Sequence, residues 1–222
     1  MHLYDSNEAR IPLGDNRNVK LVVRTRYPWE GTVQIRVDSD GVFALCPRIP
    51  AWAGDAWQCA VNGVAVEPSE LAKGYLRLDR RWRAGDTVTL EFDMPARLVR
   101  AHPLVAENTG RVALRCGPVV YCFEAGDNAG MDTERLLIDE NSATLARVTC
   151  DIDGAVAIRT SGYLLTLTDW GDAPYRDAVA AIDAVSGPHE LTATPYYTWA
   201  NRAPGSMNVW VRSAPRPSDG GR

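Results

Sequence analysis

The sequence predicts an all-β chain built as two antiparallel β-sandwich units in tandem. Three observations carry this. Apolar and polar residues alternate at the period of a half-buried strand in most segments. Turn-forming residues separate those segments at the roughly 8–12-residue spacing of a sandwich. Only Arg176 to Val185 places apolar residues at a helical interval, and a strand reading fits that stretch nearly as well.

The elements follow in order. Residues 18–25 give the first strand. Residues 32–38 give the second, with Val33, Ile35 and Val37 on one face and Thr32, Gln34, Arg36 and Asp38 on the other. Pro28-Trp29-Glu30-Gly31 between them reads as a turn, because proline presets φ and glycine permits a positive one. A third strand, 42–46, stops at Pro47 and Pro50, which cannot donate to a ladder. Residues 57–61 and 64–66 flank Asn62-Gly63, a dipeptide suited to a type I′ hairpin. Strands at 75–78 and 87–92 complete the first series. The pattern breaks at Ala101-His102-Pro103 and Glu107-Asn108-Thr109-Gly110, so the units are expected at 1–104 and 105–222. In the second unit, 111–116 and 119–124 are strands split by Gly117-Pro118. Residues 136–138 form a short apolar run. Residues 155–159 and 163–168 are expected to pair across Ser161-Gly162. The last strand is 207–212, followed by a Pro-, Gly- and Ser-rich tail expected to be frayed.

Composition narrows the function. The 222 residues are 45% hydrophobic and 23% charged, a folded composition with net charge −4. There is no basic excess to neutralise phosphates, so no nucleic-acid partner is expected. No apolar run approaches the ~20 residues of a spanning helix, so no membrane partner is expected either. The start, Met1-His2-Leu3-Tyr4-Asp5-Ser6, has no basic residue followed by an apolar stretch and does not read as a secretory signal. Cysteines at 46, 59, 116, 122 and 150 are odd in number, show no C-x-x-C spacing, and read as reduced core residues. Reduced cysteines lean toward a cytoplasmic setting. His2, His102 and His189 are too scattered to complete a zinc site from sequence. Arginine outnumbers lysine 22 to 2, which reads as compositional bias more than as function.

Five segments carry more than a fold signal. They are Thr25-Arg26-Tyr27-Pro28-Trp29-Glu30-Gly31, Arg48-Ile49-Pro50-Ala51-Trp52, Val61-Asn62-Gly63, residues 115–122 (RCGPVVYC) and residues 195–207 (PYYTWANRAPGSM). In this order they resemble the C-terminal region of glycoside hydrolase family 127, the β-L-arabinofuranosidase family, over Leu3 to Arg212. The resemblance implies a partner. Family members carry an N-terminal (α/α)₆ barrel that holds zinc and supplies a cysteine nucleophile for retaining hydrolysis. No residue here aligns with those catalytic positions, so neither Cys116 nor Cys122 inherits the nucleophile role. The chain is therefore expected to be an accessory part, whether from a truncated frame or a split gene. It would carry no catalytic residue and no cofactor, with zinc belonging to the barrel. Its role would be mechanical: covering one face of the barrel in cis or in trans, with an oligomer contact as a further role. An arabinose-containing glycan would be met only through the intact enzyme.

Two sharper readings compete with an accessory role. Most glycoside hydrolases use two carboxyl groups about 5–10 Å apart, and Asp169 with Asp172 around Trp170 is the most suggestive local pair. Asp-Trp-Gly-Asp reads better as a solvated turn whose carboxylates bond nearby amides. Trp29, Trp52 and Trp57 in the first unit, and Trp199 and Trp210 in the second, could stack a sugar, as in a stand-alone carbohydrate-binding module. The stronger reading packs them in cores or at a join. Tyr27, Trp29, Trp199, Asn201 and Arg202 lie in segments that leave strand alternation and mix aromatics with polar groups. They are the candidates for barrel-interface or glycan contact.

Overall fold

The structure is a computed structural model that describes residues 1–14, 16–67, 71–140, 144–149, 155–166, 174–175, 184–201 and 203–214. Its ordered elements are strands joined by single 3₁₀ turns, with no α-helix among the described residues. Contacts gather into two compact units, Met1–Pro95 and Ala96–Arg222.

The first unit holds β1 (Asn7–Leu13), β2 (Arg17–Thr25), β3 (Thr32–Val37), β4 (Gly41–Leu45), β5 (Trp57–Val61), β6 (Val64–Ala65), β7 (Leu78–Trp82) and β8 (Asp86–Phe92). Six of them form an antiparallel sheet in the order β1-β2-β3-β8-β5-β6, and β4 pairs with β7 in a second, two-stranded sheet. Alternation dictates which face is buried. Val33, Ile35 and Val37 of β3 pair with Leu90, Val88 and Asp86 of β8. These three, with Val88 and Leu90, lose all solvent contact. Leu45, Leu78 and Trp82 from the small sheet are buried as well. Trp82 donates its indole N–H to the Phe43 carbonyl at 3.0 Å, so its polar atom is satisfied. The Asn62-Gly63 hairpin has φ of 51° and 78°, both positive as a type I′ turn requires.

The second unit holds β9 (Ala96–Val99), β10 (Arg111–Cys116), β11 (Val119–Glu124), β12 (Leu136–Asp139), β13 (Ala146–Thr149), β14 (Val156–Thr166), β15 (Ala184–Pro195), β16 (Met207–Asn208) and β17 (Val211–Ala214). The pairing runs β16-β11-β15-β14-β12-β17-β10-β9, and β10 also pairs with β11. That last pairing links β10, β11, β15, β14, β12 and β17 into a closed ring, which hides the edges an open sheet would expose. Sandwiches and barrels share a period of two, so alternation alone does not separate them. Val112, Leu114, Phe123, Leu136, Ile138, Ile158 and Leu191 fill this core.

Several sequence expectations change. Residues 155–159 and 163–168 are not a hairpin: β14 runs through Ser161-Gly162, with a register shift between Gly162 and Leu164. A Cβ on Gly162 would sit 2.5 Å from Leu191 Cδ1 and 2.6 Å from the Leu137 carbonyl oxygen. Glycine is there for close approach, not for turning. The strand expected at 75–78 lies at Leu78–Trp82, and Tyr75 only bridges Arg48 and Ala72. The last strand splits into β16 and β17, and β17 runs parallel to β12. Strand β9, which precedes residue 104, pairs with β10 of the second unit. Most of the segment with ambiguous periodicity, residues 176–183, lies outside the described residues, as do 215–222 of the tail; Ala184 and Val185 open β15.

Candidate functional site

Two aromatic segments, one in each unit, hold the candidates. In the first, Trp29 and Glu30 donate backbone N–H groups to the Arg26 carbonyl at 2.9 and 3.1 Å, closing a tight turn after β2. Arg26 and Glu30 form an ion pair across it at 3.0 Å. Gly31 ends the turn for a steric reason: a Cβ there would lie 2.0 Å from the Phe92 carbonyl oxygen. Tyr27 points into a cluster. It stacks on Trp52 at 6.4 Å, accepts that indole N–H at 3.3 Å, and meets Tyr4 and Phe92 edge-on. Tyr4 donates its hydroxyl to the Arg48 carbonyl. Burial, with Tyr27 beside it, pushes the Tyr4 phenol above its ordinary pKa, so it stays a neutral packing group. Trp29 remains 46% exposed.

The second segment follows β15. Thr198 is buried and donates its hydroxyl to the Pro195 carbonyl at 2.7 Å. Trp199 donates its backbone N–H to the Tyr196 carbonyl at 3.1 Å. Asn201 donates its amide to the Thr198 carbonyl at 3.1 Å, and Ala200 takes a φ of 64° to turn the chain between them. The result is a stack of Tyr196 on Trp199, centroids 5.8 Å apart and planes 13° apart. Tyr196 and Trp199 are 43% and 47% exposed, and Tyr197 beside them 53%. Tyr196 and Tyr197 were not among the sequence candidates; the signal that marks them is a run of aromatics just where alternation ends. Behind the turn, buried Asn128 ties β11 to β15. Its amide donates to the Glu124 and Thr192 carbonyls and its oxygen accepts the Thr192 N–H. Arg202 lies outside the described residues, as do Asp169, Trp170, Asp172 and Cys150.

No three His, Cys, Asp or Glu side chains converge to hold a metal among the described residues. Cys46, Cys59, Cys116 and Cys122 are outside any disulfide. Burial pushes the Cys59 thiol up to about 11, away from a thiolate nucleophile. A cleft of about 620 Å³ in the first unit is lined by Asp55, Glu91 and Asp93 with Trp57 and Gln58. Its three carboxylates are exposed, whereas a glycosidase proton donor sits in a desolvated pocket.

Residues 1–94 match the GH127 middle domain of beta-L-arabinofuranosidase, and residues 96–212 match the glycoside hydrolase family 127 C-terminal domain. The chain belongs to glycoside hydrolase family 127. A curated relative, the non-reducing end beta-L-arabinofuranosidase of Bifidobacterium longum subsp. longum, is 34% identical over 231 residues, covering 95% of this chain and 32% of its own length. A solved GH127 beta-L-arabinofuranosidase from Geobacillus stearothermophilus T6 is 36% identical with a TM-score of 0.85, over 96% of this chain and 33% of that one. A second solved GH127 beta-arabinofuranosidase is 32% identical with a TM-score of 0.79, over 96% and 34%. The chain thus spans about a third of the length of each of these relatives.

Proposed function

We propose that this family 127 chain is a non-catalytic accessory region. It covers and holds a catalytic (α/α)₆ barrel, in cis or in trans, and provides a contact for oligomerisation. The observation that carries this reading is one of coverage. Middle and C-terminal family domains account for residues 1–94 and 96–212, while the relatives named as arabinofuranosidases are about three times longer. In this reading zinc and the cysteine nucleophile belong to the barrel, and the four described cysteines here serve packing. The whole enzyme would release non-reducing-end β-L-arabinofuranose, or a related furanoside, with retention. Trp29 is the side chain we place against the barrel, because Tyr27 and Trp52 anchor its turn while its own indole stays half in solvent.

The test is an assay of the purified 222-residue chain on p-nitrophenyl arabinofuranoside, with and without zinc and reductant. No turnover above buffer is expected under any condition. Turnover that rises in proportion to chain concentration would overturn the accessory reading.

A further inference from the structure

The two aromatic segments are not built alike, and the difference assigns them different work. Tyr27 is locked into its unit by Tyr4, Trp52 and Phe92, leaving one indole outside. The turn after β15 instead holds a preassembled plate outward. Tyr196 and Trp199 lie within 13° of parallel, and both keep about half their surface in solvent. Buried Thr198 and the Trp199 N–H to Tyr196 carbonyl bond fix the backbone that carries the rings. We propose that this plate is a sugar-binding site of the chain itself, taking one neutral pyranose or furanose ring.

Two features suit the plate to a sugar ring. A sugar ring has one face of C–H groups and an edge of hydroxyls, so it needs a flat apolar surface with polar groups around it. Aromatic faces carry partial negative charge and attract such polarised C–H groups. The stack supplies that surface, and the exposed Tyr196 and Asn201 side chains carry polar groups on the same turn. Second, the rings are already stacked before any ligand arrives, so binding costs little side-chain ordering. The site adds to the accessory reading: it would hold glycan near the enzyme without touching the scissile bond.

Calorimetric titration of the whole chain with an L-arabino-oligosaccharide tests this, with free L-arabinose and a cello-oligosaccharide alongside. Binding of any of the three in the range of about 1–10 mM is expected, the strength of a single stacked ring. Trp199→Ala and Tyr196→Ala should weaken it at least about tenfold. Trp199→Phe should retain most of it and Trp29→Ala should leave it unchanged. Thermal melts of each variant confirm the fold, and Trp199→Phe keeps the test decisive should an alanine variant unfold. No saturable heat up to about 50 mM, or binding indifferent to both Trp199→Ala and Tyr196→Ala, overturns the proposal. The Trp29→Ala control keeps a sugar site distinct from barrel docking, which rests on the other segment.

Discussion

At the scale of single residues, the glycines show where local reading fails. Asn62-Gly63 was legible because both residues must take positive φ for a two-residue hairpin, and that demand is written in the dipeptide. Gly31 and Gly162 carry no such local mark. Each is required by a distant atom, the Phe92 carbonyl in one case and the Leu191 side chain with the Leu137 carbonyl in the other. A sequence does not reveal which backbone will pass overhead, so Ser161-Gly162 imitates a turn. Gly162→Ala is therefore expected to destabilise the chain by about 1–3 kcal/mol through overpacking, read as a lower urea midpoint with an unchanged slope. Exposed Gly14, with nothing within 4 Å of a Cβ, is the control; alanine there should move the midpoint little. The sugar-site candidates were half legible for the same reason. Trp199 and Asn201 stand out as residues that break alternation, but the ring against which Trp199 stacks is known only once the turn is folded.

At the scale of elements, most strands that sequence found bury one face, while β6, exposed at both positions, was marked by its Asn62-Gly63 turn. β3 alternates exposed and buried at every step. β1, by contrast, is exposed or half-exposed at all seven positions, and β13 at all four. With no burial, selection leaves no apolar stripe to find. Val209 and Trp210 continue the apolar run and make β16 and β17 read as one strand, yet only Val211–Ala214 enters the ring, between β10 and parallel β12. Glu140 ties this junction. It pairs with Arg100 at 2.7 Å, just after β9, and accepts the Ser213 hydroxyl from β17. Burial alone would raise the Glu140 carboxyl; hydrogen bonds from Arg100 and Ser213, with the Arg100 charge, outweigh it and hold the group below its ordinary range. A depressed native pKa gives stability that is present above the unfolded value, about 4.3, and is lost as pH falls toward the native one. Glu140→Gln should therefore lower the melting temperature at pH 7 and narrow the gap to the parent below about pH 4. Parallel melting curves across that range would show that Glu140 does not hold the junction.

At the scale of the whole molecule, the order of motifs was the strongest signal, because five segments in sequence specify a family where any one would not. Strand alternation gave the class but not the closure of the second unit. Closure depends on β10 pairing with β17 at Arg111 and Val112 and with β11 at Arg115 and Cys116, and a period of two does not encode which strands meet. The same distinction bears on behaviour in solution. A net charge of −4 on 222 residues offers little repulsion between copies, and Trp29 stands 46% exposed. If that indole belongs under a barrel, a chain without the barrel offers it to a second copy. The molar mass from light scattering is then expected to rise with concentration, and Trp29→Ser should bring it back toward 24.3 kDa without lowering the thermal midpoint. A parent chain that stays monomeric at every concentration would place Trp29 among ordinary surface aromatics and remove the argument for docking through it.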